Sequence, residues 1–141
     1  MEIVNFIVCD DIRKEIRNKH TLVGTYLDRL VFHVKDPSKE INFNIKLAFF
    51  ITFNLNSDES KFKKMRFLAS GDPIDDLIAE VVVDNVQEPS RTVVLPLTNA
   101  VLTIDKIGKI NFSVTLFDKD DKIISEKKIK QSLEVLIEES K

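Results

Sequence analysis

The chain has 141 residues, of which 43% are hydrophobic and 31% charged, and its formal net charge at pH 7 is −2. This balance is typical of a folded globular protein and argues against a disordered chain. Nucleic-acid binders usually carry a basic excess, so we expect no nucleic-acid partner. The length predicts a single domain over residues 1–141.

Disulfide, zinc and nucleotide chemistry lack their usual residues. Cys9 is the one cysteine, and together with His20 and His33 it falls short of the ligand set of a structural zinc site. Three glycines are too few for a phosphate-binding loop. The N-terminus has no basic region before its apolar run, and the longest apolar runs are too short to span a membrane. We therefore expect a cytoplasmic protein with no cofactor and no membrane span.

The strongest structural signal is the alternation of apolar and polar residues. Every odd-numbered residue from Ile45 to Leu55 is large and apolar, and the even-numbered residues from Ile110 to Leu116 repeat the pattern. A period of two predicts strands with one face in a core. Shorter candidates cover residues 3–9, 21–26, 30–35, 64–69, 78–86, 91–97, 101–104 and 122–130. Many short strands predict an all-β fold, a single antiparallel β-sandwich of immunoglobulin-like topology.

The first two strand candidates are separated by a dense charged block. Asp10, Asp11, Glu15 and His20 would form a catalytic or metal-binding cluster only if burial moved the pKa values of the carboxyls apart. The lysines and arginines within the block offer these acids ion pairs instead. We therefore interpret the block as a connector between two strands.

Two apolar residues and a turn support the connector interpretation. Ile12 and Ile16 are four residues apart and share a face, which predicts a half-buried segment with its charges in water. Asn18-Lys19 is a candidate tight turn, because asparagine tolerates positive φ. Cys9 ends an apolar run, so we expect a core thiol and no nucleophile there.

The second strand carries two residues with specific expectations. Gly24 lies inside the strand pattern, where a glycine usually marks a bulge or a close backbone approach. Tyr26 is the one tyrosine of the chain. Its hydroxyl is expected to find one buried hydrogen-bond partner.

The start and the end of the chain resemble a family of small bacterial proteins of unknown function. In that family a C-[DE]-[DE] strand end leads through a lysine-containing turn into S-L-[IV]-G-x-[YF]; here Cys9-Asp10-Asp11 precedes residues 19–26, KHTLVGTY. Thr21 replaces the usual serine, and Asn18 lies where glycine is common. Residues 108–112, GKINF, are similar to the family's closing G-x-Y-x-F hairpin. The resemblance covers about a third of the chain and implies an immunoglobulin-like sandwich without a known activity.

Two basic runs are candidate binding surfaces. The first has four basic residues interleaved with Phe62 and Phe67: Lys61, Lys63, Lys64 and Arg66. Charge with aromatic rings suits single-stranded nucleic acid, but nearby acids and the negative net charge favour a lysine-guarded strand edge. The second run, residues 127–130, has the same appearance of a guarded edge. We place a protein-binding surface on the first run.

The acidic loops are the best candidate for a calcium site. The residues concerned are Asp118, Asp120, Asp121, Asp72 and Asp75. Calcium takes six to eight oxygen ligands, and sandwich domains of the C2 type collect them from loops at one end. The competing interpretation is that aspartates favour turns and solubility, and residues 118–121 then form a hairpin tip.

The last thirteen residues, IKQSLEVLIEESK, fit two structures. Leu133, Leu136 and Ile137 fall at helical spacing, and Ser132 is a candidate cap, so we favour a short helix. The same residues also fit the continuation of a strand. An apolar helix face there would offer a surface for self-association.

Taken together, these features predict a non-catalytic protein-binding or adaptor module, because the residues for acid–base, nucleophilic or metal chemistry are not assembled in the sequence. The partner would be another protein or a second copy of the chain. The alternative is a calcium-dependent C2-like module that binds a ligand or a membrane surface. Pro96 interrupts an apolar run and predicts an edge strand, a bulge or a change of sheet.

Overall fold

The computed structural model describes residues 1–17, 19–83 and 92–140. A single 3-10 turn lies at Glu59–Lys61 within this part of the chain. The ten strands there are β1 (Glu2–Glu15), β2 (Lys19–Tyr26), β3 (Arg29–Val34), β4 (Phe43–Asn54), β5 (Lys64–Ser70), β6 (Leu77–Val82), β7 (Thr92–Ile104), β8 (Gly108–Phe117), β9 (Ile123–Lys128) and β10 (Leu133–Glu139).

The strands form two sheets, which confirms the predicted all-β sandwich. Sheet I has the order β2-β1-β4-β7, and sheet II has the order β3-β10-β8-β5-β6. β9 and β10 share one side of β8, since β9 pairs with Ser113–Phe117 and β10 with Gly108–Ile110. β10 and β3 run parallel, and the other pairs are antiparallel. The immunoglobulin-like topology remains a prediction.

The alternating residues of both sheets meet in one core. Leu47, Phe49, Ile51 and Phe53 of β4 are all fully buried. The ring of Phe49 lies 4.9 Å from the ring of Phe67 and 5.5 Å from that of Phe112, measured between centroids, so aromatic contacts join the two sheets. Such rings stabilise a core through their large buried area and their edge contacts.

The C-terminal segment corrects the helix expected there. Leu133–Glu139 is a strand, paired with β8 on one side and with β3 on the other. Leu133 and Val135 are buried while Glu134 between them is exposed, so the period of two prevails over the helical spacing. A self-association surface built from a helical tail is therefore also wrong, since Leu133 packs inside the sandwich.

Two other expectations about strands are corrected in detail. Residues 92–104 form one strand where two were predicted, with a register shift against β4 between Leu47 and Phe49. β7 is an outer strand of sheet I in the described part, as Pro96 predicted. The predicted strands 78–86 and 91–97 extend into residues 84–91, which lie outside the described residues.

The charged block is mostly strand, and it joins β1 to β2 as a hairpin. β1 continues through Asp10 and Asp11 to Glu15 and pairs with β2 along that length. Ile12 is buried, but Ile16 is 81% exposed, so these two residues do not share a buried face as expected. Arg17 takes φ 62° in the turn, and Asn18 lies outside the described residues.

A second small cluster shows that the buried side of β1 changes along this hairpin. Cys9, Ile12 and Ala48 pack together, apart from the main core that contains Val8. Strict alternation would place Ile12 on the face of Val8. The exchange coincides with Gly24, which takes φ +64° opposite Asp10. Gly24 therefore marks an irregular, closely approached position, as predicted.

Gly24→Ala is expected to destabilise the protein by about 1–2 kcal/mol, the cost of a left-handed conformation for a residue with a Cβ. The added Cβ would also lie within van der Waals overlap of the Asp10 carboxylate. Urea unfolding measures the loss. Comparison in an Asp10→Ala background separates the two causes: a loss that vanishes there comes from the overlap, and a loss that persists comes from backbone strain.

Candidate functional site

Two of the four predicted basic site residues are already paired with acids. The Nζ of Lys64 lies 3.0 Å from Oδ1 of Asp121, and Nη2 of Arg66 lies 2.8 Å from Oε1 of Glu80. Both cations also lie over the ring of Phe117. These contacts satisfy the two charges within the protein. Neither side chain is therefore fully available to bind a partner.

The basic run does not guard an edge. β5 lies between β8 and β6 inside sheet II, so the edge interpretation of Lys64 and Arg66 is wrong. Lys61 and Lys63 are exposed on the loop that leads into β5. No carboxylate lies within ion-pair distance of either in the described part of the chain. Their role as binding residues stays a prediction.

The acidic hairpin tip uses its carboxylates locally. Asp118 accepts hydrogen bonds from the backbone N–H groups of Asp120 and Lys122 at 2.8 and 2.9 Å. The bond from Lys122 is the largest cause that lowers the pKa of the Asp118 carboxyl. This pattern is that of a turn, with the Asp118 side chain capping it.

The acidic loops do not converge on a cation site in the described residues. Within those residues no group of three or more Asp, Glu, His or Cys side chains is placed to hold a metal ion. Asp121 pairs with Lys64, and Asp72 and Asp75 lie in the loop before β6. The calcium hypothesis therefore has no geometric support here, and it stays a prediction that a melting experiment in millimolar Ca²⁺ would test.

The hairpin residues serve structural contacts. The Tyr26 hydroxyl donates to Oδ1 of Asp10 at 2.5 Å, which supplies the expected partner, although the contact is exposed and not buried. Burial, then the Asp10 carboxylate, raises the pKa of Tyr26 to about 12. Cys9 is fully buried, and burial raises the pKa of its thiol. A protonated core thiol is a poor nucleophile.

The two histidines lie in different sheets. The ring of His20 on β2 packs 5.5 Å from the ring of Phe50, measured between centroids. His33 on β3 is exposed, with Nδ1 3.9 Å from a carboxylate oxygen of Glu138. Since each ring contacts a residue of its own sheet, the structure does not bring the two histidines together.

Glu59 is a buried charge that the sequence analysis missed. Its carboxylate accepts hydrogen bonds from the α-amino group of Met1 and from the backbone N–H of Asn56. Ser125 of β9 lies beside the same carboxylate. Burial raises the pKa of Glu59, but these partners together outweigh burial, and the net pKa is lowered. Glu59 thereby ties the start of β1 to β9 and to the end of β4.

Glu59→Gln is expected to lower the free energy of unfolding by about 1.5–3 kcal/mol near neutral pH, the range for hydrogen bonds to charged groups. A lowered folded-state pKa contributes stability above the ordinary pKa of 4.5, and that stability is lost as the pH falls through the folded value. Urea unfolding at several pH values checks both points. Asp58→Asn, an exposed neighbour, is the control, and equal losses in the two variants would contradict the role of Glu59.

The outer strands of the sheets differ in how open they are. β7 is protected by Pro96, which lacks an N–H, and by Asn99, whose φ of 59° disturbs the strand. β6 exposes Ile78 and Val82 but leads directly towards residues 84–91, outside the described part. The edges of β7 and β6 are therefore weaker candidates for binding a partner strand than the opposite side of the sandwich.

On that opposite side both sheets lack an outer strand at the same place. β1 pairs with β4 over Glu2–Cys9 but with β2 only over Val8–Glu15, so residues 2–7 have one open edge in the described structure. β9 pairs with β8, and no second described strand pairs with it. Between these edges lies a groove of about 240 Å³, which we name the β1–β9 groove. It is lined by Glu2, Ile3, Val4, Lys127, Lys128, Lys130 and Gln131.

The hydrogen-bonding direction of β9 follows from one contact. The N–H of Ile129 donates to the carbonyl of Phe112 in β8. Because donors alternate sides along an antiparallel strand, the N–H and C=O groups of Lys128 and Glu126 point away from β8. The open edge of β9 therefore presents to the groove backbone groups that no strand of the described part of the chain pairs.

Comparison with protein-family models, with curated proteins and with solved structures finds no match for this chain. Among the residues that the structure describes, none belongs to a helix long and apolar enough to cross a membrane.

Proposed function

We propose that this chain is a non-catalytic protein-binding module, an adaptor that holds an extended segment of another protein as an added strand. The observation that supports it is the coincidence of two open strand edges on the β1–β9 groove. Strand addition to an exposed edge is a common mode of peptide recognition, in which main-chain hydrogen bonds give affinity.

The non-catalytic part of the proposal rests on where the reactive groups lie. The Cys9 thiol is buried, with its sulfur 3.7 Å from the carbonyl of Ala48. Asp10 is engaged by Tyr26, and Asp118 by its own turn. Each of these three groups thus has a structural contact, and among the described residues none has a partner of complementary chemistry beside it. The cytoplasmic location and the resemblance to small bacterial sandwich proteins remain predictions.

The test blocks the backbone edge of β9 without changing its lysines. Glu126→Pro removes an N–H that points away from β8, at the open edge of β9. Proline is tolerated at such a position of an edge strand. Glu126→Ala is the matched control, because it removes the same side chain and keeps the N–H. Both variants are compared with the wild type for retention of a partner protein, after their melting temperatures have been shown to agree.

Loss of the partner in Glu126→Pro, with retention in Glu126→Ala, is the expected result. Equal retention in all three proteins would overturn strand addition at β9. Equal loss in both variants would also overturn it, since the side chain and not the backbone edge would then carry the interaction.

A further inference from the structure

We propose that the β1–β9 groove selects an extended, acidic segment of its partner protein. This inference rests on the proposed function and deepens it by stating the chemistry of the bound segment. The observation that carries it is the charge of the groove wall: Lys127, Lys128 and Lys130 face a single carboxylate, that of Glu2.

The three groove lysines have no acidic partner among the residues that the structure describes. Among the described residues, no carboxylate lies within 4.0 Å of the amino group of Lys127, Lys128 or Lys130, whereas Lys64 and Arg66 both have one. The lysines are exposed, so a ligand in the groove can reach their amino groups. A bound carboxylate therefore gains attraction without having to displace an internal ion pair.

The positions of the lysines suit a paired strand. Lys127 lies opposite Val114, a core residue of β8, so its side chain is on the inner face of sheet II. Lys128 lies opposite Ser113 and is therefore on the outer face. A strand added beside β9 would meet a lysine on each of its faces. Acidic residues at neighbouring positions of that strand would satisfy both.

The same lysines exclude other strands. Lysines and inward-pointing charges on an edge discourage unspecific strand pairing. A neutral segment would leave the lysine charges uncompensated, and a basic segment would be repelled by them. The lysines that discourage unspecific pairing therefore favour acidic segments. β1 contributes an apolar residue to the groove: its register shifts between Ile3 and Asn5, and Val4 between them is 48% exposed.

A peptide fits the groove better than a single-stranded nucleic acid. The groove offers unpaired backbone donors and acceptors, which another backbone can pair. No aromatic ring is among the residues that line it, so bases would lack the stacking surface usual in single-strand binding. A phosphate backbone remains attracted by the lysines, and the experiment therefore includes one.

The experiment measures binding of four fluorescent probes to the full chain by anisotropy. Three are peptides of about eight residues, an ordinary strand length, in which pairs of valines alternate with pairs of glutamates, threonines or lysines, so that the tested residue lies on both faces of the strand. The fourth is oligo-dT of similar extended length. Each is titrated against the wild type and against a Lys127→Glu, Lys128→Glu, Lys130→Glu variant. The control for net charge is a Lys35→Glu, Lys39→Glu, Lys106→Glu variant, which makes the same number of charge reversals at exposed lysines outside the groove.

The glutamate peptide is expected to bind best, to weaken as salt is added, and to lose at least about tenfold in affinity in the groove variant but not in the control. Equal binding of the threonine peptide would overturn the acidic selection while leaving strand addition intact. Preferential binding of oligo-dT would overturn it in favour of nucleic acid. No binding of the glutamate peptide would also overturn the acidic selection. The comparison of Glu126→Pro with Glu126→Ala would still test the proposed function separately.

Discussion

Cutting the chain after Gln131 is expected to abolish cooperative folding. The cut removes β10, which lies inside sheet II between β3 and β8. It would leave β3 without its strand partner in the described structure and would remove the buried side chains of Leu133 and Val135. The loss of two large buried side chains alone costs several kcal/mol, a large part of a total stability of about 5–15 kcal/mol.

Circular dichroism with thermal melting checks the expectation. Removal of residues 140 and 141 alone is the control, because it leaves all seven residues of β10 in place. The full-length chain and the control should melt cooperatively, whereas the chain that ends at Gln131 should show no transition. A cooperative melt of that shorter chain near the wild-type temperature would show that β10 is dispensable.

Phe49→Ala is expected to destabilise the protein by about 3–5 kcal/mol, the range for an aromatic residue removed from a core. Phe49 is fully buried, and its ring contacts those of Phe6, Phe67 and Phe112. The rings come from both sheets, so the cavity would open at the contact that holds the sheets together. The groove depends on this contact, because its two walls belong to different sheets.

The adjacent phenylalanine provides the matched control. Phe50 points to the other face of β4 and packs half-buried against the small cluster around Cys9 and Ala48. Phe50→Ala therefore removes the same atoms from a more exposed site and should cost clearly less, measured by urea unfolding. Equal losses would contradict the assignment of the main core to the face of Phe49.

Much of the fold could be predicted because alternation is a local signal. Ile45–Leu55 and Gly108–Phe117 read correctly as strands, since each residue's face follows from its position in the sequence. The prediction of a C-terminal helix was wrong because the apolar residues there fit both the helical period and the period of two of a strand. What decides the outcome is pairing with β3, a strand about a hundred residues earlier, which no local pattern reveals.

The candidate site was harder to predict because it lies where β1 and β9 each lack a second strand partner in the described structure. The open edge of β1 exists because β1 has 14 residues and β2 has 8. The sequence showed the lysines at 127–130 as a guarded edge, but it gave no sign that the start of β1 lies across from them. Glu59 was missed for the same reason, since its partners Met1 and Ser125 are distant in the chain.

The first basic run shows the converse problem. Lys64 and Arg66 look free in the sequence, but Asp121 of the β8–β9 turn pairs with Lys64, and Glu80 of β6 pairs with Arg66. Charge spacing along a chain does not show which charges are satisfied across a sheet. The lysines at residues 127–130 were interpreted from the sequence only as a guarded edge, but they are the ones without an acidic partner among the described residues.

Hydrogen exchange of the amides of Glu126 and Lys128, with and without the captured partner, tests the central claim most directly. These N–H groups point away from β8, so they should exchange fast in the free protein. Strand addition predicts that both become strongly protected in the complex, together with residues 2–7 if the segment also reaches β1. Unchanged exchange at Glu126 and Lys128, with protection confined to another surface, would contradict the account.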